Sequence, residues 1–143
     1  MRALADVYYA WGKSSAAAEW YRRTAERDDC PISERKLLVR RSELASDEKL
    51  YAHVIAANEE VREGNALLSK EQWTEAKGFF ERAVELDPTN IQAMNNLGTI
   101  SLNHEKNPEA AIAWFEKALS WSDLPWLRKN LSTAQSALAS SRQ

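Results

Sequence analysis

Apolar and small residues recur at helical spacing along nearly the whole chain. Leu4, Tyr8 and Trp11 fall on one face of a helix, and Ala17, Tyr21, Thr24 and Ala25 mark the stripe of a second. Gly12-Lys13-Ser14-Ser15 supplies the turn between them, and Asp28-Asp29-Cys30-Pro31 closes the pair. Leu37, Leu38 and Leu44 predict a third helix over about 33–44, and a fourth starts near Asp47. Leu50, Val54, Ala57, Val61, Gly64 and Leu68 then keep one stripe without a break to about Lys70. A helix of about 24 residues would span roughly 36 Å. Trp73 through Leu86 read as the next helix, stopped by Asp87-Pro88, because proline cannot continue it. After a further helix and an Asn103-to-Asn107 turn, Asn107-Pro108 opens another as cap and first-turn proline. A last helix over about 124–140 places Leu124, Leu127, Leu131, Ala134 and Leu138 on one stripe, with Arg128, Lys129, Ser132 and Gln135 off it. Ala139 through Gln143 are expected to fray.

The stripes repeat. Gly64 and Gly98 stand 34 residues apart, and Ala76, Phe80 and Ala83 follow the first as Ala111, Phe115 and Ala118 follow the second. Ala5, Ala17, Tyr21 and Thr24 carry the same spacing, less strongly. A period in this range marks stacked helical hairpins, none of which can bury its apolar face alone. The expected fold is all-α, a stack of antiparallel helix hairpins closed by a capping helix with a polar outer face. The pattern divides the chain into a degenerate hairpin over 1–31, an irregular helical connector over 32–56, two repeats over 57–123 (57–90 and 91–123), and a capping helix with its tail over 124–143. The connector breaks the period: Ala5 to Gly64 is 59 positions, too few for two full repeats. A continuous helix over 47–70 would leave no hairpin reversal there, which raises self-association through the N-terminal hairpin as an expectation. The chain begins close to its first packing residue, as a piece of a longer array would.

Composition narrows the class. Charged residues make up 28% and hydrophobic ones 44%, and four Gly and four Pro are few breakers for 143 residues, which favours helices over strands. A net charge of -2 gives no footprint for nucleic acid. One cysteine, Cys30, rules out an intramolecular disulfide and a zinc finger. No apolar run approaches the roughly 20 residues of a membrane helix. The start lacks a signal-peptide core, so a cytoplasmic protein without membrane insertion is expected.

Glu63-Gly64-Asn65-Ala66-Leu67, then Trp73, Ala76, Phe80, Ala83 and Asp87-Pro88, resembles the tetratricopeptide repeat. Met94-Asn95-Asn96-Leu97-Gly98 followed by Ala111, Phe115 and Ala118 is similar to a second copy. Glu63 departs from the usual apolar residue, and Thr24 from the usual alanine. The resemblance implies a non-catalytic adaptor or scaffold whose concave face, lined by the first helix of each repeat, binds a peptide or helix of another protein. On that reading the face comprises Asn58, Val61, Asn65, Leu68 and Ser69, then Gln92, Asn95, Asn96, Thr99, Leu102 and Asn103, with Arg2, Asp6 and Tyr9 in the N-terminal copy. A row of asparagines offers donors and acceptors to an extended peptide backbone irrespective of its side chains. Family members that hold a chaperone's C-terminal carboxylate use cations beside such asparagines. Here Val61, Asn130 and Leu131 stand at those places, so the charge for that ligand is missing.

Little else suggests chemistry. His53 and His104 lie in different repeats without ligand-spaced partners, Cys30 has no nearby histidine, and no glycine-rich phosphate loop exists. No catalysis, cofactor or metal is expected. Arg35, Lys36, Arg40 and Arg41 form one basic cluster, read either as a solvated face balanced by Glu34 and Glu43 or as a docking patch for an acidic partner. Of six tryptophans, Trp73 fits a packing position, Trp20 and Trp114 point toward an outer or inter-repeat surface, and Trp121 and Trp126 flank the final turn. The alternative to an adaptor is an obligate structural subunit or chaperone-type component of a larger, self-associating assembly. Such a subunit would expose a large apolar patch.

Overall fold

The computed structural model describes residues 2–11 and 13–143, without the side chains of Ala3 and Ala10. Gly12, first residue of the expected N-terminal turn, lies outside the described residues. The order is α1 (Arg2–Ala10), α2 (Ser14–Ala25), α3 (Ile32–Ser46), α4 (Glu48–Leu68), α5 (Trp73–Leu86), α6 (Ile91–Asn103), α7 (Pro108–Leu119) and α8 (Pro125–Ser141), with no strand among the described residues. The fold is all-α, as the periodicity predicts.

Local chemistry sets the boundaries. Asp47 is the one break between α3 and α4, and its carboxylate accepts from the backbone N–H groups of Lys49 and Leu50 at 2.9 and 3.1 Å. Asn90 caps α6 through Ala93 N at 3.0 Å, and Asn107 caps α7 through Ala110 N at 3.0 Å. Glu71 and Lys106 close the turns before α5 and α7 with φ of 58° and 53°, a left-handed conformation usually given to glycine or asparagine. The segment that breaks the repeat period is helical, formed by α3 and the first part of α4. α3 is longer than expected, and α4 is a single helix of 21 residues ending at Leu68, two residues before the expected stop.

Packing divides the chain into two compact units, Met1–Ile55 and Ala56–Gln143, with the boundary inside α4. In the second unit the repeat logic is explicit. A Cβ placed on Gly64 would lie 2.7 Å from Cε1 of Phe80, and one on Gly98 would lie 2.5 Å from Cε1 of Phe115. Both rings are buried, so glycine is what lets each first helix rest on the aromatic of its second. Ala76, Ala83, Ala111 and Ala118 are fully buried beside them, with Met94, Leu97 and Ile100 filling the space between hairpins and Leu127 and Ala134 seating α8.

The first unit uses a related plan with larger groups. Ala5 and Ala17 are sealed against Tyr21, and Tyr9 meets the rings of Tyr21 and Tyr51 edge-on at 5.6 and 5.0 Å. The Tyr51 hydroxyl donates to the Tyr9 carbonyl. Leu38, Leu44 and Ala45 complete this core from α3, and Leu37 is buried as well.

Candidate functional site

The first helices of the second unit, α4 and α6, hold the asparagines expected on the concave face, and the closing α8 adds Asn130. They are joined to one another. Asn96 Nδ2 of α6 donates to Asn65 Oδ1 of α4 at 2.9 Å, and Asn130 Nδ2 of α8 donates to Asn95 Oδ1 of α6 at 2.8 Å. A third pair closes the other end, with Asn90 Nδ2 donating to Asn58 Oδ1 at 3.3 Å. Asn90 thus uses one amide twice, its oxygen capping α6 and its nitrogen reaching α4. Beside it Asp87 accepts from Thr89 N and Thr89 Oγ1 at 3.0 and 2.6 Å, which fixes the turn leading into α6.

The result is a ladder of amides laid across three helices. Each pair engages one carbonyl and one N–H. Among the described residues, the Asn65 amino group, the Asn96 carbonyl and the second amino hydrogens of Asn96 and Asn130 carry no hydrogen bond. An amide already held by its neighbour has little rotamer freedom left to lose when it binds. Past the ladder, Thr99, Leu102, Asn103, Phe115, Asn130 and Thr133 line a cavity of about 130 Å³. Its walls carry hydroxyls and amides over an apolar floor, and none of those residues is charged.

The expected face residues do not all serve alike. Asn58, Ser69, Gln92 and Asn103 are exposed, and Asn65, Leu68, Asn95, Asn96, Thr99 and Leu102 are half-buried. Val61 is buried in the core and offers nothing to a ligand. The Ser69 and Thr99 hydroxyls turn back onto their own helices, to Asn65 O and Ala66 O and to Asn95 O. Asn90, Asn130 and Thr133 were not expected on this face. Carrying the repeat register from Asn95 into α8 does reach Asn130, and one turn further reaches Thr133.

In the N-terminal unit the corresponding positions are consumed internally. Arg2 pairs with Glu34 at 2.8 Å, Asp6 accepts from Tyr21 Oη at 2.5 Å and from Arg41 Nη1 at 2.7 Å, and Tyr9 is buried. Burial pushes the Tyr21 hydroxyl well above its ordinary range, with Arg41 opposing and Asp6 adding to the rise. Burial works against the charge on Arg41, but Tyr21 and Asp6 outweigh it and keep the guanidinium ionised. The basic cluster is therefore not one face. Arg41 points into this network, Arg40 pairs with Glu43 at 3.0 Å, and Arg35 donates to the carbonyls of Arg27 and Cys30 at 3.1 and 3.5 Å. Lys36 is exposed.

Neighbouring repeats are also clamped on a second side. Trp73 of α5 stacks on His104 at the end of α6, ring centroids 5.6 Å apart, and Lys77 of α5 pairs with Glu105 at 2.6 Å. The hydrogen bond from Lys77 holds the Glu105 carboxyl below its ordinary value, and Glu105 raises Lys77 in return. Of the remaining tryptophans, Trp20 and Trp114 are half-buried under Arg23 and Lys117, Trp121 is half-buried, and Trp126 is exposed. Cys30 is a buried free thiol, and no group of three or more metal-ligating side chains gathers among the described residues. No helix among them is long and apolar enough to cross a membrane.

Tandem hairpins with a glycine-on-phenylalanine seam and a face of paired amides define an α-helical repeat protein. A family model described as tetratricopeptide repeat matches residues 61–125, and that segment carries the repeat. Repeats of this family generally mediate protein–protein interaction. A search of curated proteins gave no match.

Proposed function

We propose that this protein is a non-catalytic adaptor whose amide-lined face on α4, α6 and α8 holds an extended segment of a partner protein. The observation that carries this reading is the ladder itself. Asn65–Asn96 and Asn95–Asn130 hold amide donors and acceptors on α4, α6 and α8, the groups that the N–H and C=O of a peptide main chain would pair with. Charge is absent from the row, so recognition rests on main-chain hydrogen bonds and on one apolar side chain seated over Phe115 and Leu102. The partner segment is accordingly neutral to weakly charged, with no requirement for a terminal carboxylate.

Affinity capture from a cell extract with the wild-type chain beside Asn65→Ala/Asn96→Ala tests the reading. The double variant should lose the partner while keeping its helical circular dichroism. A partner retained undiminished by a folded double variant would contradict it.

A further inference from the structure

The two threonines that line the cavity between α6 and α8 have already committed their hydroxyl protons. Thr99 Oγ1 donates to Asn95 O at 2.9 Å, and Thr133 Oγ1 donates to Lys129 O at 3.0 Å, each four residues back along its own helix. A hydroxyl has one proton, so both oxygens can only accept from whatever enters. They belong to different helices and line the same space, over an apolar floor of Leu102 and Phe115. The other two polar lining residues, Asn103 and Asn130, carry amides that can donate or accept. One repeat earlier the corresponding position differs. Asn65 stands 34 residues before Thr99, as Gly64 stands before Gly98, and its amino group supplies a donor where Thr99 has none.

We infer that this cavity takes a partner side chain with an apolar stem and a neutral hydrogen-bond donor at its tip: threonine, tyrosine or tryptophan. Its volume of about 130 Å³ is well below the roughly 300 Å³ of the smallest small-molecule sites, so it suits the end of one side chain. Leucine or valine there would strip water from both hydroxyl oxygens and return nothing, leaving two acceptors without partners. A carboxylate would set further acceptors against them. A lysine or arginine tip can donate, but no charged residue lines the cavity to offset its desolvation. A hydroxyl or an indole N–H avoids all three penalties. The inference rests on the adaptor reading and adds to it the chemistry of the anchor, whose stem lies over Phe115 and Leu102.

Selection of a displayed random-peptide library on the immobilised full chain, run in parallel on Thr99→Val/Thr133→Val and Thr99→Ser/Thr133→Ser, tests it. Valine keeps the branched shape and removes both oxygens, whereas serine keeps the oxygens. The wild-type and serine pools should be enriched at one position in threonine, tyrosine or tryptophan. Synthetic peptides with that residue exchanged for a counterpart lacking the donor (valine, phenylalanine or naphthylalanine) should bind the wild type about three- to tenfold more weakly. The valine variant should bind the exchanged peptide at least as tightly as its parent. Equal binding of both peptides by the wild type, an aliphatic or charged residue enriched at that position, or a donor preference unchanged in the valine variant would overturn the inference. If those peptides still lose binding on Asn65→Ala or Asn96→Ala, the adaptor reading stands without it. Peptides indifferent to both asparagine substitutions, or a library from which nothing is enriched, would overturn the reading and the inference together.

Discussion

Gly98→Ala tests the seam on which the repeat stack is built. The added Cβ would sit 2.5, 2.8 and 2.9 Å from Cε1, Cζ and Cδ1 of Phe115, where carbon atoms normally rest about 3.5–4.0 Å apart. Phe115 is 1% exposed, so the ring must retreat by about 1 Å from its place in the core. Overpacking of this kind costs about 1–3 kcal/mol, and alanine in place of a helical glycine returns up to about 1 kcal/mol. The contact is short enough to place the loss toward the upper end, so a net destabilisation of about 1–2 kcal/mol is expected. Urea unfolding followed by circular dichroism reads it directly. Gly78 is the internal control, because a Cβ there meets only Arg82 Nη1 at 3.7 Å. Gly78→Ala should therefore stabilise by about 0.5–1 kcal/mol. Phe115→Leu removes the two nearest of these atoms, Cε1 and Cζ, so Gly98→Ala should cost less in that background than alone. If Gly98→Ala proves as harmless as Gly78→Ala, the close approach of α6 and α7 is not what holds the hairpin together.

The turns, the amide links and the buried tyrosine give further tests. Lys106→Gly removes a left-handed lysine at φ 53° and should raise stability by up to about 1 kcal/mol in thermal unfolding. Asn90→Ala removes both the α6 cap and the link to Asn58 and should lower stability by about 1–2 kcal/mol, whereas Asn90→Asp should keep the cap and recover most of it. Tyr21 is raised in the folded state above its ordinary 10.0, so the stability it lends is whole below that pH and is lost as pH climbs past it. The N-terminal unit should then lose roughly 1.4 kcal/mol per pH unit above about pH 10, and Tyr21→Phe should flatten that slope in alkaline denaturation.

The fold was legible wherever spacing alone decides packing. Gly64, Ala76, Phe80 and Ala83 recur at distances that only helical hairpins satisfy, and their contacts follow from the size of each side chain. The face of the site was legible in outline for the same reason, since a helix that packs one side must turn another outward. What the pattern hid was pairing. An asparagine at a groove position looks free in a sequence, and nothing in Asn65 or Asn95 announces that its carbonyl is taken by an amide about one repeat away. Arg41 was hidden likewise, because its charge suggests solvent while Asp6 and Tyr21, far away in sequence, draw it inward. Val61 had the opposite fault, lying on the stripe yet too far round the helix to be reached. The segment from 32 to 56 breaks the repeat period but not the helical stripe, and the stripe from Leu50 to Leu68 made one long helix legible. What the period did not mark is that α4 runs from one unit into the next.

Selection of displayed random peptides on the immobilised full chain, followed by titration of the enriched sequences against single variants, tests the proposed role most directly. Enriched peptides should share a neutral stretch with one apolar anchor, and should bind Asn65→Ala, Asn96→Ala and Asn130→Ala each at least about tenfold more weakly than wild type. Peptides that bind all three variants as tightly as wild type would contradict the account.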